Sequence, residues 1–323
     1  MISRLANDAP CGYAPRVILI VNPAAAGGRL GRHWPALQRR LRAAGFDPPA
    51  VFTEAPGHAT VLAAEAVRRG ETVVVAAGGD GTICEVVQGL HDGGGATLGI
   101  LPLGTGNDAA RTLGLPLRLE PAAQAIADGR TRAVDLILAG DRVVLNAIGI
   151  GLLGAINVNA ASIKLVRGIA AYLGAAAGTL FRYRCPEISL SDGTFSYRGP
   201  MTILAVHNGV TTGGGFPLTP AALPDDGRLD ACLVGGTSVP LRLVRLLDGV
   251  RGTLIDKPGS HGIRFSRLEL ATAVPLPCHF DGNPAWIQPP GMVFSVLPGA
   301  QRVFAGAPPD RASAGPGQSS SFT

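Results

Sequence analysis

Two glycine turns constrain this chain more than anything else in it. One is Gly78-Gly79-Asp80-Gly81-Thr82; the other, about twenty residues on, is Gly104-Thr105-Gly106-Asn107-Asp108. Each follows a short apolar run, 72–77 or 98–102, and each precedes a helix-like segment, 82–90 or the residues after 108. A strand that feeds a helix through a tight turn is the building unit of a parallel sheet covered by helices. Such turns lie at the carboxyl ends of neighbouring strands, where these sheets bind ligands. Backbone N–H groups and the positive end of the following helix favour phosphate there. Asp80 is then the odd residue, since a carboxylate repels a bare phosphate. It makes sense if a metal ion travels with the phosphate, or if it orders the loop.

The segments around the turns support the same architecture. Residues 16–22 read as a buried strand, 23–28 as a turn, 31–44 as a basic helix, 50–53 as a short strand and 58–69 as an amphipathic helix ended by Gly70. The pattern changes near Arg130. From there the runs at 133–139, 142–149, 186–191, 194–207, 228–235, 262–271, 276–281 and 292–298 read as strands, with helices expected at 161–181 and 239–250. We therefore expect an α/β domain over residues 1–132, with its parallel sheet flanked by helices, and a β-rich sandwich domain over 133–300. The strand near 292–305 is placed to return to the first domain. The Pro-, Gly- and Ser-rich residues 306–323 are expected to be disordered.

Composition excludes several classes. Apolar residues make up 46% and charged residues 16%, which suits a large core and not a disordered chain. The net charge of +5 has no basic run behind it and aromatics are only 5%, so a nucleic-acid partner is not expected. Five scattered cysteines without a CxxC pair suggest reduced thiols in the cytoplasm and no zinc site. The uncharged run 143–163 contains Asn146, Asn157 and Asn159 and makes a poor membrane span.

With both turns on the page, the chain resembles the catalytic domain of the diacylglycerol kinase and sphingosine kinase superfamily, and within it the bacterial soluble lipid kinases. The resemblance rests on an ordered series: Asn22-Pro23 with Gly27-Gly28, Thr53 with Gly57-His58-Ala59, the two glycine turns, Arg167-Gly168 with Tyr172-Leu173, Asn208-Gly209 with Gly213-Gly214-Gly215, Pro224-Asp225-Asp226-Gly227 with Leu229-Asp230, and Asp281-Gly282. It spans roughly residues 16–300. The resemblance implies ATP-dependent phosphorylation of a lipid hydroxyl in a cleft between the two domains, with diacylglycerol or a sphingoid-like alcohol as acceptor. By matching position, Thr53, Gly78, Gly79, Asp80, Gly81, Thr82, Thr105 and Asn107 would contact ATP, and Leu223, Asp226 and Arg228 would hold a magnesium ion. GGDGT also occurs in NAD kinases, so an NAD kinase-like enzyme is the rival activity.

One position departs from the family. Its pattern after the last aspartate is Asp-Gly-Glu, and this chain has Asp281-Gly282-Asn283. Asparagine does not accept a proton at neutral pH. Asp281 is then the expected base, with Asp80 acting through the cation, and the alternative is a catalytically impaired relative.

Three further features are read more simply. Gly149-Ile-Gly151-Leu-Leu-Gly154 lacks the downstream acid of a dinucleotide site and reads as glycine packing. His207 lies in an apolar strand and reads as a core histidine. Basic residues flank the apolar stretch 168–181, with Lys164 and Arg167 before it and Arg182 and Arg184 after it, so peripheral contact with the inner membrane surface is expected as an option. The oligomeric state is open, a homodimer included.

Overall fold

Valine and isoleucine are stiff at χ1 and pack well on a pleated surface, and the runs rich in them form the central strands. The computed structural model describes residues 16–162 and 178–304. Four parallel strands come first: β1 (Val17–Val21), β2 (Ala50–Phe52), β3 (Val73–Gly78) and β4 (Thr97–Pro102), in the spatial order β2-β1-β3-β4. Helices α1 (Ala25–Ala43), α2 (His58–Arg68) and α3 (Asp80–Gly93) connect them. Ala26, Gly27 and Gly28 have φ of 52°, 68° and 79°, so regular helix begins only beyond Gly28 and residues 23–28 form a turn. β3 is buried along its whole length because helices cover both faces. On one side Ala59, Ala63 and Ala66 of α2 meet Val86, Val87 and Leu90 of α3. On the other, Trp34 and Leu41 of α1 share a core with Ala122 and Ile126 of α5 (Leu119–Ala127).

Helix α5 has no counterpart in the sequence expectations. Its buried face is mostly alanine, which gives little periodic contrast. The short α4 (Asp108–Thr112) follows the second glycine turn as expected.

The remainder is largely antiparallel. It contains β5 (Thr131–Ala139), β6 (Arg142–Val144), β7 (Ala147–Gly151), α6 (Leu152–Ser162), β8 (Glu187–Ser191), β9 (Ser196–His207), β10 (Leu229–Gly235), α7 (Val239–Val250), β11 (Ser260–Phe265), β12 (Arg267–Thr272), β13 (Leu276–Phe280), β14 (Asn283–Ile287) and β15 (Gly291–Phe304). Strand β9 changes partners along its length. Residues 196–200 pair with β8, and residues 201–207 pair with β7 and β10. Strand β15 does the same: it lies antiparallel to β12 and β5, then ends parallel to β4 through Val303 and Leu98. The apolar core of this half includes Ile148, Leu204, Leu233, Phe265, Phe280 and Phe294.

Three expectations change. The strand expected at 142–149 is broken, because Leu145 and Asn146 leave the ladder to donate their N–H groups to Asp281. The strand expected at 262–271 is two strands, β11 and β12, with different neighbours. Strand β14 was not expected at all. Of the helix expected at 161–181, residues 163–177 lie outside the described residues, as do the leader, the tail and the Arg167–Leu173 part of the resemblance.

Candidate active site

The parallel register brings the predicted nucleotide residues to one edge. Val21 is opposite Phe52 and Ala77, and Gly78 is opposite Pro102, so Asn22, Thr53 and both glycine turns leave the sheet on the same side. The turns touch. A Cβ on Gly104 would lie 2.4 Å from the Cα of Gly79, so only glycine permits this approach. The Leu103 N–H donates to the Gly78 carbonyl at 2.9 Å and fastens one turn to the other. Helix α3 starts at Asp80 rather than Thr82, which aims its first free N–H groups into the turn.

The predicted side chains there divide into two groups. Thr105 is exposed at the tip of its turn and Thr53 is half-buried at the rim. Thr82 and Asn107 serve the loops themselves. The Thr82 hydroxyl is buried and accepts the Asn22 side-chain N–H at 2.9 Å. Asn107, at φ 55°, accepts the Gly104 N–H on its Oδ1 at 2.9 Å. Neither side chain is turned outward toward a ligand; both brace a cradle made of backbone.

Two carboxylates converge beside this cradle. A Cβ on Gly106 would lie 3.0 Å from Asp80 Oδ2 and 3.3 Å from Asp108 Oδ2. Asp80 Oδ1 accepts the Ala109 N–H at 3.0 Å. Asp108 is buried; it accepts the Thr211 hydroxyl at 3.0 Å and the Gly214 N–H at 2.7 Å. Burial raises the Asp80 pKa, the Ala109 N–H pulls it back, and the charge of Asp108 adds to the rise. Two carboxylates converging on one glycine are relieved by a cation. Among the described residues no three metal-ligating side chains meet. That suits magnesium, which binds one or two carboxylates and takes its other ligands from phosphates and water.

From the β-rich half, the β13–β14 hairpin reaches the same place. Asp281 and Gly282 are its two loop residues, at φ 44° and 88°, the left-handed pair of a tight hairpin. The Asp281 carboxylate accepts N–H groups from Ala147 at 2.7 Å and from Leu145 and Asn146 at 3.2 Å. Burial nevertheless pushes its pKa up to about 8, with Asp80 adding to the rise. Asn283 donates its side-chain N–H to the Gly81 carbonyl at 3.0 Å, tying the hairpin to the first glycine turn.

A polar chain completes the junction. Asn146 accepts the Thr112 hydroxyl at 2.6 Å and donates to the Thr211 carbonyl at 2.9 Å, and Thr211 in turn donates to Asp108. Asn22, Asp108, Asn146 and Thr211 were not among the predicted site residues. Asp108 was legible as the last residue of its turn motif. Asn146 was signalled only as one of three asparagines in the uncharged run 143–163.

At the turn of Leu223, Asp226 and Arg228, expected to hold magnesium, the carboxylate has partners within the protein. Asp226 Oδ1 accepts the Arg228 N–H at 3.0 Å, and its Oδ2 is paired with the guanidinium of Arg264. The glycines at 149–154 do not form a nucleotide turn. A Cβ on Gly149 would strike the His279 ring and one on Gly154 the backbone of Pro277 and Cys278, so they pack β7 and α6 against β13. His207 is a core histidine: burial lowers its pKa to about 3 and Nδ1 lies 2.8 Å from the Thr219 hydroxyl.

Comparison with known proteins identifies the family. Residues 16–139 match the diacylglycerol kinase catalytic domain, and residues 146–305 match the YegS C-terminal NAD kinase beta sandwich-like domain. A protein of Pseudomonas aeruginosa PAO1 named "Probable lipid kinase YegS-like" is 35% identical over 305 residues, covering 91% of this chain and 96% of that one. A namesake from Pseudomonas fluorescens Pf-5 is 34% identical over 81% of this chain and 87% of its own. A crystal structure of a diacylglycerol kinase from Bacillus anthracis Sterne superposes with a TM-score of 0.67 at 25% identity, over 90% of this chain and 97% of that one. A second structure from the same strain gives 0.72 at 27% identity with the same coverage. Both halves of the chain thus fall in one class of enzyme, the lipid kinases. Within that class the chain belongs to the YegS-like family.

Proposed function

We propose that this enzyme transfers the γ-phosphoryl group of ATP to the hydroxyl of a lipid alcohol, diacylglycerol or a sphingoid-like acceptor, with magnesium as cofactor. The observation that carries this reading is the junction itself. A backbone cradle and an acidic pair on the α/β half face a high-pKa carboxyl group on the β-rich half, and one hydrogen-bonded chain joins them. We assign nucleotide binding to residues 1–132 with the returning end of β15, and the lipid to residues 133–300.

Phosphoryl transfer is mostly positioning and charge neutralisation. The N–H groups of the 78–82 and 104–106 turns hold the phosphates, with the positive end of α3 behind them. Asp80 and Asp108 would hold magnesium, which would neutralise charge on the transferring group. Asp281 in its ionised form takes the acceptor's proton. The acceptor oxygen bonds to the γ-phosphorus as the bond to the β–γ bridging oxygen breaks, and ADP departs. Asn283 takes no proton; it fixes the position of the hairpin.

Incubation of the purified chain with labelled ATP, magnesium and extracted bacterial lipid, followed by mass spectrometry of the product, tests the reading. A phosphorylated lipid alcohol is expected. Labelled NADP from added NAD would favour the NAD kinase-like alternative. No transfer to any acceptor would favour an impaired relative, which the missing glutamate at 283 motivates. Asp80→Ala is expected to lower magnesium-dependent turnover at least about tenfold, the equivalent of ~1.4 kcal/mol in the barrier; unchanged turnover would remove Asp80 from the mechanism.

A further inference from the structure

Helix α7 is built inside out. A surface helix normally buries an apolar stripe and shows polar residues to water. In α7 the buried positions include Arg242, Arg245 and Asp248, while Leu243, Val244, Leu246, Leu247 and Val250 are each 47–55% exposed. The polar face makes hydrogen bonds to the protein through both arginines. Arg242 donates to the carbonyls of Leu180 and Tyr183 at 2.7 and 2.9 Å and to that of Thr237 at 3.2 Å. Arg245 donates to Asp248 and to the Pro258 carbonyl, both at 2.9 Å. These bonds set the helix's rotation and keep its apolar side turned outward.

The surroundings indicate what meets that side. Phe181, 60% exposed, belongs to the segment that Arg242 grips. Arg182 and Arg184, next to Phe181 in the chain, and Arg251, at the end of α7, are exposed, against two exposed acids of the same segments, Glu187 and Asp256. An apolar face with a cationic rim is complementary to an anionic lipid surface. At twelve residues α7 is about 18 Å long, too short to cross a bilayer but suited to lying in its plane. No described helix is long and apolar enough to cross a membrane.

The face is also wired to the site. Gly249 rests on Leu218, and Pro217 lies under Gly252. The loop that holds these residues, 212–218, contacts Asp108 through the Gly214 N–H at 2.7 Å. We propose that α7 and Phe181 form the membrane-docking surface, with the five aliphatic side chains at the acyl boundary and the three arginines among anionic headgroups. Docking there sets the bilayer one helix and one short loop from the acidic pair. The surface does not depend on the catalytic reading, and its test reads binding alone.

The full chain is sedimented with phosphatidylcholine vesicles with and without phosphatidylglycerol. Binding is expected only with the anionic lipid and is expected to weaken as salt rises. The doubly substituted Leu243→Glu, Leu247→Glu chain is expected to lose at least about tenfold in partitioning, because charge is poorly tolerated at the acyl boundary. The Arg182→Glu, Arg184→Glu chain is expected to lose binding and its salt dependence. Melting temperatures should be unchanged, since all four residues are exposed; if the leucine pair proves unstable, Leu247→Ser serves instead. Wild type that ignores vesicles, or a leucine variant that binds as wild type does, overturns the proposal. So does a wild-type dimer that the leucine variant converts to monomer without vesicle binding, which assigns the face to a second copy. Vesicle binding that follows these variants in a chain inactive on every lipid supports docking and sinks the catalytic reading alone.

Discussion

At Asp281, burial and hydrogen bonding pull one carboxyl group in opposite directions. Three backbone N–H donors favour the ionised form, and burial beside Asp80 favours the neutral one. The neutral form prevails up to about pH 8, so turnover is expected to rise through that pH as the base ionises. The consequence for stability has a definite sign. The folded pKa of about 8 lies above the unfolded value near 4, so between them the native state keeps a proton that the unfolded chain has lost. Stability therefore falls as pH rises across that window. Asp281→Asn is expected to flatten the fall, seen in melting temperature against pH, and to abolish most transfer while sparing ATP binding. A slope identical to wild type would place the titration elsewhere. Asn283 makes a second residue-scale prediction. Asn283→Ala removes the bond to Gly81 and is expected to cost about 1 kcal/mol in urea denaturation. Asn283→Glu cannot donate that bond and adds a negative charge near Asp281, so its pH–rate profile should move to higher pH. A profile that stays in place would show that position 283 does not sense the base.

The elements show why some segments were legible and others not. Strands β1 and β3 and helices α2 and α3 follow from valine runs and amphipathic spacing, and the structure places them within a few residues of expectation. Strand β14 was missed because it holds Pro284, which reads as a strand breaker and is tolerated here on a sheet edge. Asp281-Gly282 was nonetheless a strong two-residue hairpin signal, and it should have implied a strand on each side. Between elements, the contact of Gly79 with Gly104 holds the two turns together. Gly104→Ala puts a methyl group 2.4 Å from the Gly79 Cα and must push the turns apart. Overpacking of this kind costs about 1–3 kcal/mol. The expected outcome is a lower melting temperature with at least about tenfold weaker ATP binding by calorimetry. Wild-type affinity in a stable Gly104→Ala chain would show that the contact does not shape the cradle.

At the scale of the molecule, strand exchange and a polar chain are among the features that join the two halves. β15 crosses from β12 to β4, and Asn146 links Thr112 to Thr211 between Asp281 and Asp108. Asn146→Ala strands a threonine hydroxyl and a carbonyl without partners, at an expected cost of about 1–3 kcal/mol. The chain carries a tryptophan in each half, Trp34 in α1 and Trp286 in β14. Fluorescence of Trp286→Phe and Trp34→Phe backgrounds would follow each half separately through urea. Asn146→Ala should lower both midpoints; midpoints unmoved in both would show that the chain does not bind the halves together.

The sequence by itself determined what depends on local chemistry. Glycine spacing after β-branched runs dictated strand, cradle and helix, and the order of motifs dictated the lipid kinase family. What only tertiary structure decided depends on partner choice. Asp226 met Arg264, 38 residues away, and Asn283 met Gly81, 202 residues away. Helix α7 kept its arginines inward because carbonyls from 180, 183 and 258 were there to receive them. Period and propensity report which face of a segment is apolar. They do not report whether that face meets protein or something else, because burial is a property of the neighbours and the neighbours are distant in the chain.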